Sequence, residues 1–272
     1  MNSIRSIKHN LVIVLAIVLI IISSGCGRPP EIYDPFRIPR KEFYPQLNRI
    51  AIMPLNITSE PIKFHNAMGL FDSLLAKELL DNELDVIIVP LEESDSLQEY
   101  FMYRLGGFFD PYSGKMDFEK ARTWRRMIIK EIEEKYKVDA ILFTRIITVS
   151  AHVFRDQAKW DGVTESIGKD RFLKSLLGIR HTGNIPALSL IVELRATNDS
   201  LLYLNAGGIQ VLQKIGTGSS PEDRPYHEIL TDEERNEDAV VYVIHPLLGK
   251  SVKRRPGSIN RPKTRSSLLE SE

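Results

Sequence analysis

The stretch RIAIMPL, residues 49–55, is a short apolar run of strand length, and DVIIVPL, residues 85–91, is a second. Between them AMGLFDSLLAKELL (67–80) puts Met68, Phe71, Leu75 and Leu79 at helical spacing, with Lys77 and Glu78 facing outward. A strand, an amphipathic helix and a second buried strand form a βαβ unit, which sets the two strands parallel.

Working outward, the spacing predicts a second helix over 117–136. Asp117 is its expected N-cap, and Ala121, Trp124, Ile128 and Ile132 lie along one side. That helix delivers the chain into DAILFTRIITVSAHVF (139–154), the longest strand-like run. Further on, LSLIVELRAT (188–197), a turn at Asn198-Asp199-Ser200 and LLYLNAGGIQVL (201–212) predict an antiparallel hairpin. Gly207-Gly208 inside it marks a bulge, a close backbone approach or the relaxation of a twisted strand. Thr231-Asp232-Glu233-Glu234 has capping-box spacing and opens a last helix, with Ala239, Val240, Val243, Ile244 and Leu247 inward and a break near Pro246. The expected class is α/β with α+β character: a mixed sheet with a parallel start, a late antiparallel hairpin and helices packed on it.

The amino terminus sets the compartment. MNSIRSIKHN carries Arg5 and Lys8 and no acid, twelve apolar residues follow over 11–22, and Ser23-Ser24-Gly25 precede Cys26, the chain's one cysteine. A cationic start, a short apolar core and small residues make up a secretory signal peptide. The apolar run is shorter than the roughly 20 residues a spanning helix needs, and a transmembrane anchor is the alternative. Ser23-Ser24-Gly25-Cys26 resembles the lipobox of bacterial lipoproteins. The resemblance implies cleavage between Gly25 and Cys26, diacylglycerol on the Cys26 sulfur and an N-acyl chain on the new amine. The family usually has Leu where this chain has Ser23. Gly27 in place of an aspartate implies sorting to the outer membrane, facing the periplasm, with the inner membrane as the alternative. Two or three acyl chains hold firmly, since each buried methylene contributes about 0.8 kcal/mol.

Without residues 1–25 the chain loses two basic side chains and no acid, so its formal charge falls from +0 to −2. That gives no electrostatic case for nucleic acid. With no second cysteine there is no intrachain disulfide. Residues 26–48 are the lipidated Cys26 and a tether, with Pro29, Pro30, Pro35, Pro39 and Pro45 biasing the backbone to extended states. A single domain is expected over 49–250, with a polar insertion at 155–186 holding a helix-like piece at 171–177. A basic, disordered tail closes the chain at 251–272.

The opening strand with its helix, the VDAILFTRI strand and the hairpin LSLIVELRATNDSLLYLNAGG resemble a group of envelope lipoproteins. These are the curli-secretion lipoproteins, the lipoprotein activators of penicillin-binding proteins and relatives of the amino-terminal domain of TolB. The resemblance covers roughly 49–248 and implies non-enzymatic roles in secretion, assembly or activation of a partner. Membrane strands need about 9–11 alternating residues. The charged insertion has no pair of these, so a secretion pore is not expected.

Local signals for chemistry are few. His65, His152, His181, His227 and His245 are scattered without zinc-ligand spacing, so no metal site is expected. No nucleophile elbow and no phosphate-loop or dinucleotide glycine pattern occurs, so neither catalytic residues nor cofactors are expected, apart from the acyl groups on Cys26. Two segments qualify as contact surfaces with other envelope proteins or a second copy of the chain. Lys159-Trp160-Asp161-Gly162 predicts a hairpin turn, with Trp160 either an interface anchor or a cover for the sheet edge. The aromatic loop FMYRLGGFFDPYSG (101–114), with Phe108, Phe109 and Tyr112, is either a partner patch or a satellite core. The rival function is a small-molecule or glycan-binding module, which requires a concave apolar pocket; an envelope hydrolase is a third.

Overall fold

The computed structural model describes residues 34–44, 47–57, 65–110, 112–154, 157–167, 182–215 and 221–250. The signal segment, Cys26, the helix-like piece at 171–177 and the tail at 251–272 lie outside the described residues. The chain divides into two units, Met1–Asp34 and Pro35–Glu272, and every described helix and strand belongs to the second.

The βαβ start is present. Strand β1 (Arg49–Ile52) pairs in parallel with β3 (Asp85–Ile88) on one side and with β4 (Ala140–Phe154) on the other, and the two-residue β2 (Asn56–Ile57) also pairs in parallel with β4. Helix α2 (His65–Leu80) makes the crossover from β1 to β3. Side chains alternate across a strand, and β1 is buried on both faces. Ile50 and Ile52 pack with Phe71, Leu75 and Leu79 of α2, while Ala51 and Met53 pack in a second cluster with Ile128, Ile129 and Ile132. Those isoleucines belong to α4 (Phe118–Tyr136), whose N-cap is Asp117 as expected: its carboxylate accepts from the N–H groups of Glu119 and Lys120.

The antiparallel part is longer than the sequence suggested. Strand β7 (Thr182–Ala196) pairs with β4 along its whole length, from Ala140↔Ala196 to Phe154↔Thr182. It turns through 197–200 into β8 (Leu201–Val211), with register shifts opposite Leu188/Ser189 and Leu194/Arg195. Gly207 meets the close approach read from the sequence. A Cβ there would lie 2.9 Å from the Ala239 carbonyl oxygen and 2.8 Å from Val243 Cγ1. Both belong to the last helix, α5 (Glu233–Ile244), whose Ala239, Val240, Val243 and Ile244 close the first cluster. A minor hairpin, β9 (Gln213–Ile215) with β10 (Pro221–Asp223), joins β8 to α5.

Four boundaries differ from the sequence reading. Residues 35–44 and 47–48 are not a free tether: Phe36, Phe43 and Leu47 are buried, and a short helix α1 (Arg40–Phe43) starts directly after Pro39. Proline is tolerated at a helix start, where its missing N–H costs nothing. Phe36 sets its ring edge-on to Phe43 and Tyr203, each at 5.2 Å, so packing overrides the extended bias. Residues 91–105 form a helix, α3 (Leu91–Leu105), so the strand after α2 ends at Ile88 and the aromatic stretch begins as helix. The span 155–186 is not one polar insertion, for it contains the hairpin β5 (Gln157–Trp160) and β6 (Val163–Ser166) and the first residues of β7. The last helix is capped by Asp232, one residue after Thr231, with its carboxylate accepting from the Arg235 N–H.

Candidate functional site

The two contact candidates come apart in space. In the β5–β6 hairpin Asp161 and Gly162 both take positive φ, 29° and 79°, as a two-residue hairpin turn requires. The hairpin is drawn over β7 and β8. Trp160 is 7% exposed and donates its indole N–H to the Leu188 carbonyl, 3.1 Å away. The Asp161 carboxylate accepts from the Ser189 hydroxyl at 2.6 Å, and its backbone oxygen from the Gly208 N–H at 2.9 Å. Gly162 lies so close to Tyr242 that an added Cβ would sit 2.1 Å from the ring. Trp160 is therefore an interior cover rather than a presented anchor, and Asp161 and Gly162 hold the fold.

Behind this hairpin sits a network the sequence did not signal. Glu165, buried at β6, accepts from the Val211 N–H at 3.0 Å and from Arg224 at 3.0 Å, and pairs with Arg235. Its three partners come from three later segments, so no spacing rule finds them.

The aromatic segment splits. Phe101 is buried against α4, and Phe108 meets the Trp124 ring edge-on at 5.2 Å, which makes these two a satellite core. Gly106, in the left-handed region at φ 69°, ends α3 and turns the chain out. Asp110 then organises the loop. Its carboxylate accepts from the Tyr112 and Ser113 N–H groups at 3.0 and 2.6 Å, and the backbone hydrogen bond of Ser113 leads the causes that hold this carboxyl below its ordinary range. Its backbone oxygen accepts from Gly114, and Phe109 bridges to Met116. The backbone is thus satisfied from within while Phe109 is 62% and Tyr112 99% exposed. Tyr103 and Phe118 on the flanking helix ends are 88% and 73% exposed.

A cavity of about 240 Å³ opens where β1 ends. Met53, Pro54 and Asn56 form one wall, Phe143, Thr144 and Arg145 of β4 with Ile191 and Glu193 of β7 the floor, and Ser94, Gln98, Trp124, Arg125 and Ile128 of α3 and α4 the roof. Arg125 donates through Nε and Nη2 to both oxygens of Asp199, at 2.7 and 3.1 Å. Arg195 bridges Glu193 and Asp199, and Arg126 stands 3.5 Å from Asp199. Burial pushes the Asp199 carboxyl up, but Arg125, Arg195 and Arg126 outweigh it and its net shift is downward. Neither the cavity nor this arginine cluster was read from the sequence, because its residues are contributed by five elements.

Among the described residues no group of three or more His, Cys, Asp or Glu side chains is placed to hold a metal ion, and no helix is long and apolar enough to cross a membrane. His152 and His227 are exposed, and His245 stands 3.5 Å from Glu78.

No family model matches the chain, and no curated protein matches it. Among solved structures it is similar to PelC from Paraburkholderia phytofirmans, described as a dodecamer, with a TM-score of 0.34 and 10% identity over 76% of this chain and 91% of that one. A hypothetical protein from Chlamydia trachomatis gives a TM-score of 0.33 and 10% identity over 74% of this chain and 96% of that one. A putative neuraminyllactose-binding hemagglutinin homolog from Helicobacter pylori gives 0.31 and 8% over 76% and 83%. Likeness at this level identifies neither a family nor a function.

Proposed function

We propose that the chain is a lipid-anchored, non-enzymatic accessory or assembly factor of the cell envelope, facing the periplasm from the outer membrane and acting through protein–protein contacts. The observation that carries this reading is the clustering of exposed apolar side chains. Of the thirteen large hydrophobics exposed among the described residues, seven fall within 100–118: Tyr100, Met102, Tyr103, Phe109, Tyr112, Met116 and Phe118. Isolated exposed apolar residues are ordinary, but seven within nineteen positions, on a loop whose backbone is already hydrogen-bonded and on the two helix ends that flank it, support a contact surface. Tyrosine and phenylalanine are also the residues that lose least entropy per area buried at such surfaces. The signal-like start and the Ser23-Ser24-Gly25-Cys26 sequence supply the membrane end of the proposal, with the acyl groups on Cys26 as the anchor.

Two measurements test it. Intact mass of protein extracted from native membrane, beside Cys26→Ser, is expected to show loss of 1–25 plus acyl mass, both abolished by the substitution. A photo-crosslinking residue at Tyr112, introduced in intact cells, is expected to give a discrete envelope-protein adduct or a dimer of this chain, while the same residue at exposed Tyr226 gives neither. Equal labelling at both positions, or an unprocessed chain, contradicts the reading.

A further inference from the structure

The cavity beside β1 carries an inference of its own, independent of the envelope reading and of the aromatic surface. Its position is the first argument. From β1 the chain crosses to β3 by α2 on one face, then passes from β3 to β4 by α3 and α4 on the other. Connections that leave neighbouring parallel strands over opposite faces open a crevice outside the carboxyl ends of those strands, and there ligands of parallel α/β sheets bind. Met53 and Pro54, the first residues after β1, line this cavity.

Electrostatics is the second. Around the cavity four arginines (Arg125, Arg126, Arg145, Arg195) face two carboxylates (Glu193, Asp199), and both carboxylates are engaged by Arg125, Arg126 and Arg195. Arg145 has no ion-pair partner among the described residues. Directly across the strands from it stand Ile191 and Asn56; the nearest acid on its face, Glu193, is diagonal and bonded to Arg195. The local balance is therefore positive, which disfavours a cationic ligand and favours an anion. The third argument is the lining. Trp124, Phe143 and Ile128 offer an apolar slot, and the volume lies below the range of about 300–1,000 Å³ typical of drug-sized sites. A ligand with one charge and one compact apolar body fits both features.

We propose that this cavity binds a small carboxylate with an apolar body, the carboxylate at Arg145 and the body against Trp124 and Phe143. The same chemistry is presented by a free organic acid and by the carboxyl-terminal residue of a chain.

The test uses the full chain in detergent and saturation-transfer NMR, with phenylacetate, phenylacetamide, and acetyl-glycyl-phenylalanine in acid and amidated forms as probes. The acids are expected to bind at millimolar concentration and the amides not. Arg145→Ala is expected to weaken phenylacetate at least about tenfold, as losing a charge-assisted contact does, and Arg145→Lys to keep most of the affinity. Because Arg145 is exposed, an unchanged denaturation midpoint in both variants shows that the fold is intact. Tighter binding of the peptide acid points to a chain terminus, and binding of phenylacetate alone points to a free acid; both support the site. Equal binding of acids and amides, indifference to Arg145→Ala, or binding of none of the four probes overturns it.

Discussion

The turn at Asp161-Gly162 and the turn closed by Asp110 and Gly114 are both short, both hydrogen-bonded and both flanked by aromatic rings, yet their rings lie in opposite environments. Trp160 is covered and Tyr112 is bare. What separates them is where the hydrogen bonds go. The first turn spends its polar groups on β7 and β8: the Trp160 indole, the Asp161 carboxylate and the Asp161 carbonyl each meet a partner there. The second turn satisfies itself through Asp110 and leaves only Phe108 to reach the core. A turn that donates its polar groups outward is held down by them, and a self-satisfied turn is free to present its rings.

The comparison breaks first at Trp160. Removing its ring leaves a cavity beside Ala151, Val153 and Ala187, with which it packs, and removes the indole N–H that the Leu188 carbonyl accepts from. Trp160→Ala is expected to cost roughly 3–5 kcal/mol, read as a shift in the urea midpoint. Glu165→Ala is next. It strips the buried carboxylate from Arg224 and Arg235, leaving Arg224 only the distant Glu228 at 3.9 Å and Arg235 only the half-exposed Asp232 at 2.8 Å, and is expected to cost about 3 kcal/mol. If the midpoint is unmoved, the network does not clamp the hairpin.

A milder effect, of the opposite sign, belongs to the parallel half. Burial raises the Asp72 carboxyl from 3.8 to about 6, against the opposing hydrogen bond from the Leu55 N–H. The folded value exceeds the unfolded one, so the folded state binds the extra proton between these two values. Stability therefore falls as pH rises from about 4 through about 6 and levels off above that, by roughly 2–3 kcal/mol. Asp72→Asn keeps an acceptor for Leu55 and no ionisable group. The expected result is a variant more stable than the parent at pH 7.5 and matched to it at pH 4 in paired denaturation curves; equal stability at both pH values removes the claim.

These effects track what was legible in the sequence. Local signals held wherever one element decides its own environment: the apolar run of β1, the Asp117 cap, the inward face of α5. They failed where packing partners decide. Helix α3 gives a weak signal because its apolar positions, Leu97, Phe101 and Leu105, are sparse among acids and serines, although their spacing of four fits a helix. The prolines before residue 49 argue for extended chain, so the sequence signals start the domain there. Phe36 packs edge-on against both Phe43 and Tyr203, and its contact with Tyr203 spans about 170 residues of sequence, which no local rule contains. The Arg125–Asp199 and Glu165–Arg224 pairs, separated by 74 and 59 residues, were illegible for the same reason.

The smallest stability effect sharpens the comparison most. Phe109→Ser with Tyr112→Ser removes two rings that touch little of the domain and leaves the Asp110 hydrogen bonds in place, since both Tyr112 and its replacement present the same N–H. Exposed substitutions of this kind shift stability by no more than about 0.5 kcal/mol. If the loop exists to present rings, the double variant keeps the parent's denaturation midpoint while losing the envelope adduct made through a photo-crosslinker at neighbouring Tyr103. A large drop in stability would mean that the loop is packed after all and that the contrast with Trp160 is false. An undiminished adduct would mean that contact is made by α3 alone, through Tyr100 and Tyr103, with the loop as its spacer.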